Sequence, residues 1–184
     1  MTALHFTDTE GANAILSSNP FALLVGMTLY QQVPVEKAFA GPAVIEERLG
    51  RPLTAAAVAE CDPTELESVF RGPPAVHRFP ANMAKRVQAV AVFIVETYGG
   101  DTTALWDGVA TAEELAARIH QIPGFGDYKT KVYAAVLARQ FGVTPTGWDE
   151  HLPDWPNISE VDSDADRVEM KARKKAWKEA GGSE

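Results

Sequence analysis

Cysteine is almost absent from this sequence of 184 residues, which contains only Cys61. One thiol cannot form an internal disulfide, and it cannot supply the four thiolates that hold a typical iron–sulfur cluster. Cys61 is therefore interpreted as a small core residue. Histidines are also few, and His5, His120 and His151 lack the close spacing of metal ligands, so no metal site built from side chains is expected.

Long apolar runs are missing as well. No segment approaches the about 18 consecutive apolar residues that cross a bilayer, and residues 1–19 have no basic stretch followed by an apolar one, as a secretory signal would. A cytoplasmic protein without a membrane partner is therefore expected. Because hydrophobic residues make up 46% of the chain, a sizeable core can form, and the length predicts one domain.

Alternating apolar and polar residues, the pattern of a half-buried strand, are also lacking, whereas helix signals recur along the chain. The first well-marked helix is predicted to run to Gln32. Residues 142–158 contain three prolines and are predicted to be a loop. Capping residues and first-turn prolines predict helix starts at Asn19, Pro34, Pro42, Asp62, Pro80, Thr111, Asp127 and Ser163, with glycine stops at Gly41, Gly50, Gly72, Gly99 and Gly142. The fold class is therefore predicted to be all-α.

The net charge of −8 argues at first against nucleic acid, because phosphate binding depends on Lys and Arg. The basic residues are unevenly placed, however. Six of the 17 lie between Arg167 and Lys178, where Glu169 is the single acid. A DNA-binding face must therefore be local. The terminal helix has a thin apolar stripe that is expected to pack inward and close the fold, formed by Val168, Ala172, Ala176 and Trp177. The alternative, that its basic residues contact DNA, stays open.

The sharpest motif lies at residues 114–132, where a capped helix is followed by an apolar-Pro-Gly-apolar-Gly turn and a second helix. Glycine at 124 and 126 permits a tight turn with exposed N–H groups. These amides sit beside the positive end of the next helix, which suits a phosphate oxygen. A plain helix–helix turn is the alternative, but the full arrangement favours a DNA-backbone site formed by Gly124, Phe125, Gly126, Lys129 and Lys131.

This motif and three other stretches resemble the helix-hairpin-helix-Gly-Pro-Asp superfamily of base excision DNA repair glycosylases. The similarity covers about residues 19–149 and is closest to a small bacterial branch without an iron–sulfur cluster. It lies in residues 19–32, residues 76–86, the turn at residues 122–126, and the sequence from Gly147 to Asp149. The resemblance implies double-stranded DNA as the partner and a nucleoid-associated monomer.

The resemblance also implies a two-lobed helical fold within a single domain of residues 1–184. Residues 32–142 would form a barrel of helices that carries the hairpin at 122–126. Residues 1–31 and 143–184 would form the second lobe, with the active cleft between the two. No organic cofactor is expected, and only a monovalent cation bound by hairpin carbonyls is implied.

Asp149 stands where the resemblance places the catalytic aspartate. Cleavage of the bond between a base and its deoxyribose leaves positive charge on the sugar, and a nearby carboxylate can stabilise that charge and orient water. The alternative is an ordinary solvated loop carboxylate, like its neighbours Glu150 and Asp154. Family members that also cleave the sugar–phosphate chain use a lysine at the position of Tyr128. A monofunctional DNA glycosylase is therefore predicted.

Further residues are candidates for contacts with an extruded base or with phosphate. Gln31 and Gln32 can fill the gap left by the base, or they can cap their own helix. Tyr128 can line the base pocket or pack on its helix face. Arg78 is a weaker candidate for a phosphate contact. Two alternative functions remain open, namely a catalytically inactive lesion-binding or accessory protein of the same fold and a helical protein-interaction module.

Overall fold

The computed structural model describes residues 4–183 and is helical throughout that part of the chain, with no strand and one isolated backbone bridge between Thr111 and Thr146. The all-α prediction is confirmed. The α-helices are α1 (Glu10–Ser18), α2 (Pro20–Leu29), α3 (Val35–Leu49), α4 (Ala55–Ala59), α5 (Pro63–Arg71), α6 (Pro80–Tyr98), α7 (Ala112–His120), α8 (Asp127–Phe141) and α9 (Asp164–Glu179). Short 3-10 helices lie at Thr102–Leu105, Trp148–His151 and Ile158–Glu160.

Side-chain caps begin several helices where the sequence predicted them, whereas α1 and α4 begin at positions that the sequence analysis did not predict. The Asn19 side chain accepts hydrogen bonds from the Phe21 and Ala22 N–H groups at the start of α2. Asp62 and Thr111 cap α5 and α7 in the same way. These caps satisfy backbone donors that have no partner within a helix. The end of α2 was predicted less well, because the helix stops at Leu29, three residues before Gln32.

The predicted break at Gly41 and Pro42 is wrong, because both residues lie inside the single helix α3. Close packing against α2 explains why the helix continues. A Cβ atom on Gly41 would come within 2.5 Å of the Leu29 side chain. The apolar surface buried at this approach offsets the one backbone hydrogen bond that Pro42 cannot donate.

The core is built around α2, whose residues 21–29 are all buried and which packs against α1, α3 and α6. One continuous apolar cluster extends from Leu4 to Met170. Within it, α1 and α2 pack on α3, and the turn at Ile158–Glu160 packs on α8. Within residues 4–183 no single helix is long and apolar enough to cross a membrane, and only the bent pair of α1 and α2 passes that test jointly, by length and composition alone.

The terminal helix α9 turns a different face inward from the predicted one. Its buried residues are Arg167 and Met170. Val168 is 67% exposed, and Ala172 and Ala176 are exposed as well. The expectation that this apolar stripe closes the fold is therefore wrong, although Trp177 does pack, against Trp155 at 6.4 Å between ring centroids.

Candidate nucleic-acid interface

The turn at residues 122–126, called the hairpin turn, joins α7 to α8 with its apolar side chains inward and its glycines outward. Ile122 and Phe125 are buried, whereas Gly124 and Gly126 are exposed. The Phe125 N–H donates to the Ile122 carbonyl at 3.0 Å, which closes the turn. Gly124 has a φ of +82°, a left-handed conformation that glycine adopts without strain. The sequence therefore folds this segment so that the glycine backbone faces solvent.

Gly126 begins α8 without a side-chain cap. The first hydrogen bond of the helix is that of the Thr130 N–H to the Gly126 carbonyl, at 2.9 Å. The N–H groups of the first turn therefore have no acceptor within the helix, and the positive end of the helix dipole lies beside them. An added Cβ on Gly126 would meet nothing within 4 Å, so a ligand can approach the backbone here. The arrangement suits an anion such as a phosphodiester oxygen.

Two of the predicted backbone-binding groups face the protein interior. The Phe125 side chain is buried, and its N–H is used inside the turn. Lys129 is 7% exposed, and its Nζ donates to the Thr28 carbonyl at 2.6 Å. Thr28 lies in the last turn of α2, where carbonyls lack a donor within the helix. The prediction that Lys129 contacts phosphate therefore fails, and Lys129 instead ties α8 to the end of α2.

Burial lowers the pKa of Lys129 to about 7, with a smaller contribution from the positive charge of Arg86. An amine with such a pKa is unprotonated in about half of the molecules at neutral pH. The 5.5 Å distance from Nζ to the Phe125 ring centroid places the charged form over an aromatic face. Lys131, by contrast, is exposed and lies 5.6 Å from the Trp155 ring centroid.

Gln31 and Gln32 lie in the turn after α2, directly beside the hairpin turn. Gln32 has a φ of +55°, unusual for a residue other than glycine. The Gln31 side-chain carbonyl accepts the Arg86 guanidinium at 2.9 Å. The Gln31 backbone carbonyl lies 3.0 Å from His77 Nε2. This turn is therefore held by side chains from distant parts of the chain, and Gln31 is positioned by Arg86.

His77 is fully buried and is identified as a neutral donor by its two contacts. The Phe79 N–H donates to His77 Nδ1 at 3.1 Å, so Nδ1 carries no proton and Nε2–H donates to Gln31. Burial lowers the pKa of His77, in agreement with the neutral form. His77 therefore supports the turn that carries the two glutamines and does not face solvent.

A cleft of about 850 Å³ separates the hairpin turn from α9. Of the residues predicted as site residues, it brings together Gln31, Gln32, Gly124, Gly126, Tyr128 and Lys129. The Tyr128 ring stacks on Trp155 at 5.9 Å and 19°, and its hydroxyl accepts the Lys174 ammonium at 2.6 Å. The base-pocket candidates and the exposed hairpin glycines thus share one cavity.

Arg86 is a candidate residue of the nucleic-acid interface that the sequence analysis did not identify. It donates to Gln31 and also lies against the hairpin turn, where a Cβ on Gly124 would meet its Cδ at 3.0 Å. A second opening, of about 590 Å³, is lined by Arg86, Lys85 and Gly124 among others. The sequence feature that could have identified it is the basic pair Lys85–Arg86 in the first turns of α6, within the stretch that resembles the repair family.

Arg78 is exposed, and its guanidinium lies 4.8 Å from the Phe79 ring centroid. Phe79 lines the second opening and is 40% exposed, which is unusual for a large aromatic residue. Arg78 itself lines neither opening. It therefore lies at the edge of the candidate surface, and its phosphate contact stays a prediction.

Asp149 is exposed and does not line the cleft. It follows Thr146, whose backbone pairs with Thr111 at the N-terminal end of α7. Its neighbours Trp148 and His151 line a different cavity, of about 520 Å³ against α7 and α8, which Asp149 itself does not line. The structure therefore does not bring the predicted catalytic carboxylate together with the glutamines and Tyr128.

The described residues contain no group of three or more His, Cys, Asp or Glu side chains that could hold a metal ion. The monovalent cation that the resemblance implies at the hairpin carbonyls stays a prediction. Comparison with protein-family models, curated proteins and solved structures finds no match to this chain.

Proposed function

We propose that this protein binds double-stranded DNA through its hairpin turn and receives an extruded nucleotide in the adjacent cleft, in the manner of base excision repair glycosylases. The observation that carries the proposal is the exposure of the Gly124 and Gly126 backbone at the start of α8, in one cavity with Gln31 and Gln32. The amides would hold a phosphate, and this contact would fix the position of the duplex without reading its sequence.

The glutamines suit the next step of such a process. A base that leaves the duplex opens a gap and leaves its partner unpaired, at a cost of a few kcal/mol that is lowest for damaged or mispaired bases. The Gln31 side chain is already fixed by Arg86, and the Gln32 side chain is exposed at the rim of the cleft. An amide can both donate to and accept from the unpaired base.

The reaction proposed is hydrolysis of the N-glycosidic bond by a monofunctional enzyme with the two-lobed helix-hairpin-helix fold. Two features favour hydrolysis without an enzyme–sugar adduct. Tyr128 occupies the position of the family's attacking lysine. The next residue, Lys129, has its amine engaged with the Thr28 carbonyl and only 7% of its surface exposed.

The position of Asp149 outside the cleft supports a second candidate, a lesion-binding protein that does not cleave the glycosidic bond. In that case the cleft would hold an extruded base without a carboxylate to stabilise positive charge on the sugar. Glu179 does line the cleft but lies at its exposed rim, 3.9 Å from Lys175. The two candidates share the DNA-binding surface and differ only in chemistry.

A panel of duplexes, each with one damaged or mispaired base, tests the proposal. Wild-type protein is expected to bind duplex DNA with a strong dependence on salt and to release one class of base. Release by Asp149→Asn at the wild-type rate would remove Asp149 from the mechanism. Binding without release across the panel would favour the second candidate, and absence of duplex binding at low salt would refute both.

A trapping experiment separates the two kinds of glycosylase. Borohydride reduces an imine between a lysine and an abasic-site aldehyde to a stable covalent adduct. Incubation of wild-type protein with abasic-site duplex and borohydride is expected to give no adduct. An adduct that disappears in Lys129→Met but persists in Lys131→Met would contradict the monofunctional assignment.

A further inference from the structure

Helix α9 packs with its basic face toward the cleft and with Val168, Ala172 and Ala176 toward solvent. Lys171, Lys174 and Lys178 lie within about 60° of one another around the helix axis, at 100° per residue, and all three line the cleft. Burial of Val168, Ala172 and Ala176 would require a different rotation of the helix. The observed rotation places the positive charges where a ligand in the cleft would meet them.

The orientation is fixed by a buried anchor rather than by the lysines. Arg167 is 4% exposed and donates to the backbone carbonyls of His5 and Thr7, each at 2.7 Å. It also pairs with the carboxylates of Asp8 and Asp164. Further along the helix, Trp177 packs on Trp155. The helix is thus held at both ends, which presents the lysines between them at defined positions.

The charge of the cleft differs from that of the whole chain. The chain has a net charge of −8. The cleft is nevertheless lined by four lysines of α9 and by the buried Lys129, against the carboxylate of Glu179 in the lining and that of Glu36, which pairs with Lys171 at 2.7 Å. A concentration of positive charge beside exposed hairpin amides attracts a polyanion. The rise from Lys171 to Lys178 is about 10.5 Å, close to the rise along the duplex axis of about three phosphates of one strand.

We infer that α9 is a second DNA-binding element, which contacts the phosphates of the strand that continues from the hairpin turn across the cleft. The inference rests on the proposed DNA-binding function and extends it. It assigns phosphate contacts to Lys171, Lys175 and Lys178. Lys174 is left out of the test because its ammonium also positions the Tyr128 hydroxyl. Lys171 and Lys175 pair with the carboxylates of Glu36 and Glu179, and DNA phosphates would replace these carboxylates as partners.

The test is a salt titration of duplex binding by a variant with Lys171, Lys175 and Lys178 changed to Gln. Glutamine has nearly the helix propensity of lysine, and circular dichroism confirms that the variant is folded. Loss of three phosphate contacts should reduce the magnitude of the slope of log affinity against log salt concentration by about 2.7. Between 50 and 200 mM salt, the affinity of the variant should therefore fall by a factor about 40 times smaller than that of the wild type.

The matched control carries the same change of charge outside the cleft, with Arg51, Arg71 and Arg173 changed to Gln. It should keep most of the wild-type slope. Equal flattening in both variants would show a general charge effect and overturn the inference. An unchanged slope in the lysine variant would also overturn it. The proposed function would still stand if Gly126→Asp at the hairpin turn weakened duplex binding at least about tenfold.

Two further outcomes concern the identity of the polyanion that α9 binds. Failure of wild-type protein to bind duplex DNA at low salt would refute the proposed function and the inference together. Competition by polyglutamate as strong as that by unlabelled duplex of equal charge would identify α9 as a surface for acidic polypeptides and contradict the assignment to DNA. The inference requires duplex DNA to be the better competitor.

Discussion

The Lys129 ammonium donates to the Thr28 carbonyl at 2.6 Å, across 101 residues of sequence. This hydrogen bond joins the first turn of α8 to the last turn of α2, and therefore joins the hairpin turn to the turn that carries Gln31 and Gln32. A cation at the C-terminal end of a helix is also stabilised by the helix dipole. Lys129 is therefore a positioning residue for the candidate interface rather than a phosphate ligand.

The lowered pKa of Lys129 makes the stability of the protein depend on pH. An unfolded lysine has a pKa near 10.5, and burial lowers that of Lys129 to about 7. Between these values the unfolded state binds more protons than the folded state, so the contribution of Lys129 to stability rises with pH. The slope is about 1.4 kcal/mol per pH unit. Below pH 7 both states are protonated, and the cost of the buried charge is then constant.

Lys129→Met should remove this dependence. The free energy of unfolding, measured in urea from pH 6 to pH 10, should rise less steeply in the variant than in the wild type. The stability of the variant relative to that of the wild type should therefore be highest at the acidic end of this range. Lys131→Met, at an exposed position of the same helix, should change stability by less than about 0.5 kcal/mol at pH 7. Parallel pH profiles for Lys129→Met and wild type would contradict the lowered pKa of this amine.

Gly124→Ala should destabilise the protein more than Gly142→Ala. Both glycines have left-handed φ angles, +82° and +70°, so both substitutions carry a backbone cost of about 1–2 kcal/mol. A Cβ at position 142 meets nothing within 4 Å, whereas one at 124 presses on the Arg86 side chain. Urea unfolding of the two variants measures the difference. A larger loss in Gly142→Ala would show that Arg86 does not pack against the hairpin turn.

Tyr133→Phe is expected to leave stability unchanged or to raise it by about 1 kcal/mol. The Tyr133 hydroxyl is fully buried and has no hydrogen-bond partner in the described part of the chain. Burial accordingly raises the pKa of this phenol. Removing the hydroxyl removes a desolvation cost while the ring keeps its edge-to-face contact with Phe125. A loss of more than about 1 kcal/mol in thermal unfolding would reveal a partner for the hydroxyl.

Arg167→Gln should release α9 from the body of the protein. Arg167 is buried and donates to the His5 and Thr7 carbonyls, and leaving such buried acceptors without a donor typically costs about 1–3 kcal/mol. Hydrogen exchange should increase along α9 and at residues 5–8. Arg173→Gln serves as the control, because Arg173 is exposed and makes one surface pair with Glu160. Equal exchange in both variants would contradict the anchoring role.

Local signals in the sequence predicted most of the helices, but not α1 or α4. Asn19, Asp62 and Thr111 cap helices through contacts with residues two or three positions away, so the short pattern contains the relevant physics. Pro42 failed as a helix start because its fit depends on α2, which is distant in sequence. The exposed glycine backbone of the hairpin turn could be predicted because its glycines and buried apolar residues are consecutive.

The site was harder to predict because burial is decided by the whole fold. The 100° step per residue shows that Lys129 and Tyr128 point in different directions, but it does not show which direction is the interior. Lys129 is buried, and α9 turns its lysines rather than Val168 toward the cleft. The position of Asp149 depends on the pairing of Thr146 with Thr111, which no short pattern encodes.

The most direct test of DNA binding at the hairpin turn is the affinity of Gly126→Asp for duplex DNA. Aspartate is a preferred residue at the N-cap of a helix, and the Gly126 backbone already has the extended conformation that such a cap needs. The substitution should therefore leave thermal stability unchanged or slightly raised. The same carboxylate would occupy the proposed phosphate site and repel DNA. We expect a folded variant with at least about tenfold weaker binding, on the order of 1.4 kcal/mol. A folded variant that binds duplex DNA as tightly as the wild type would contradict the proposed role of the hairpin turn.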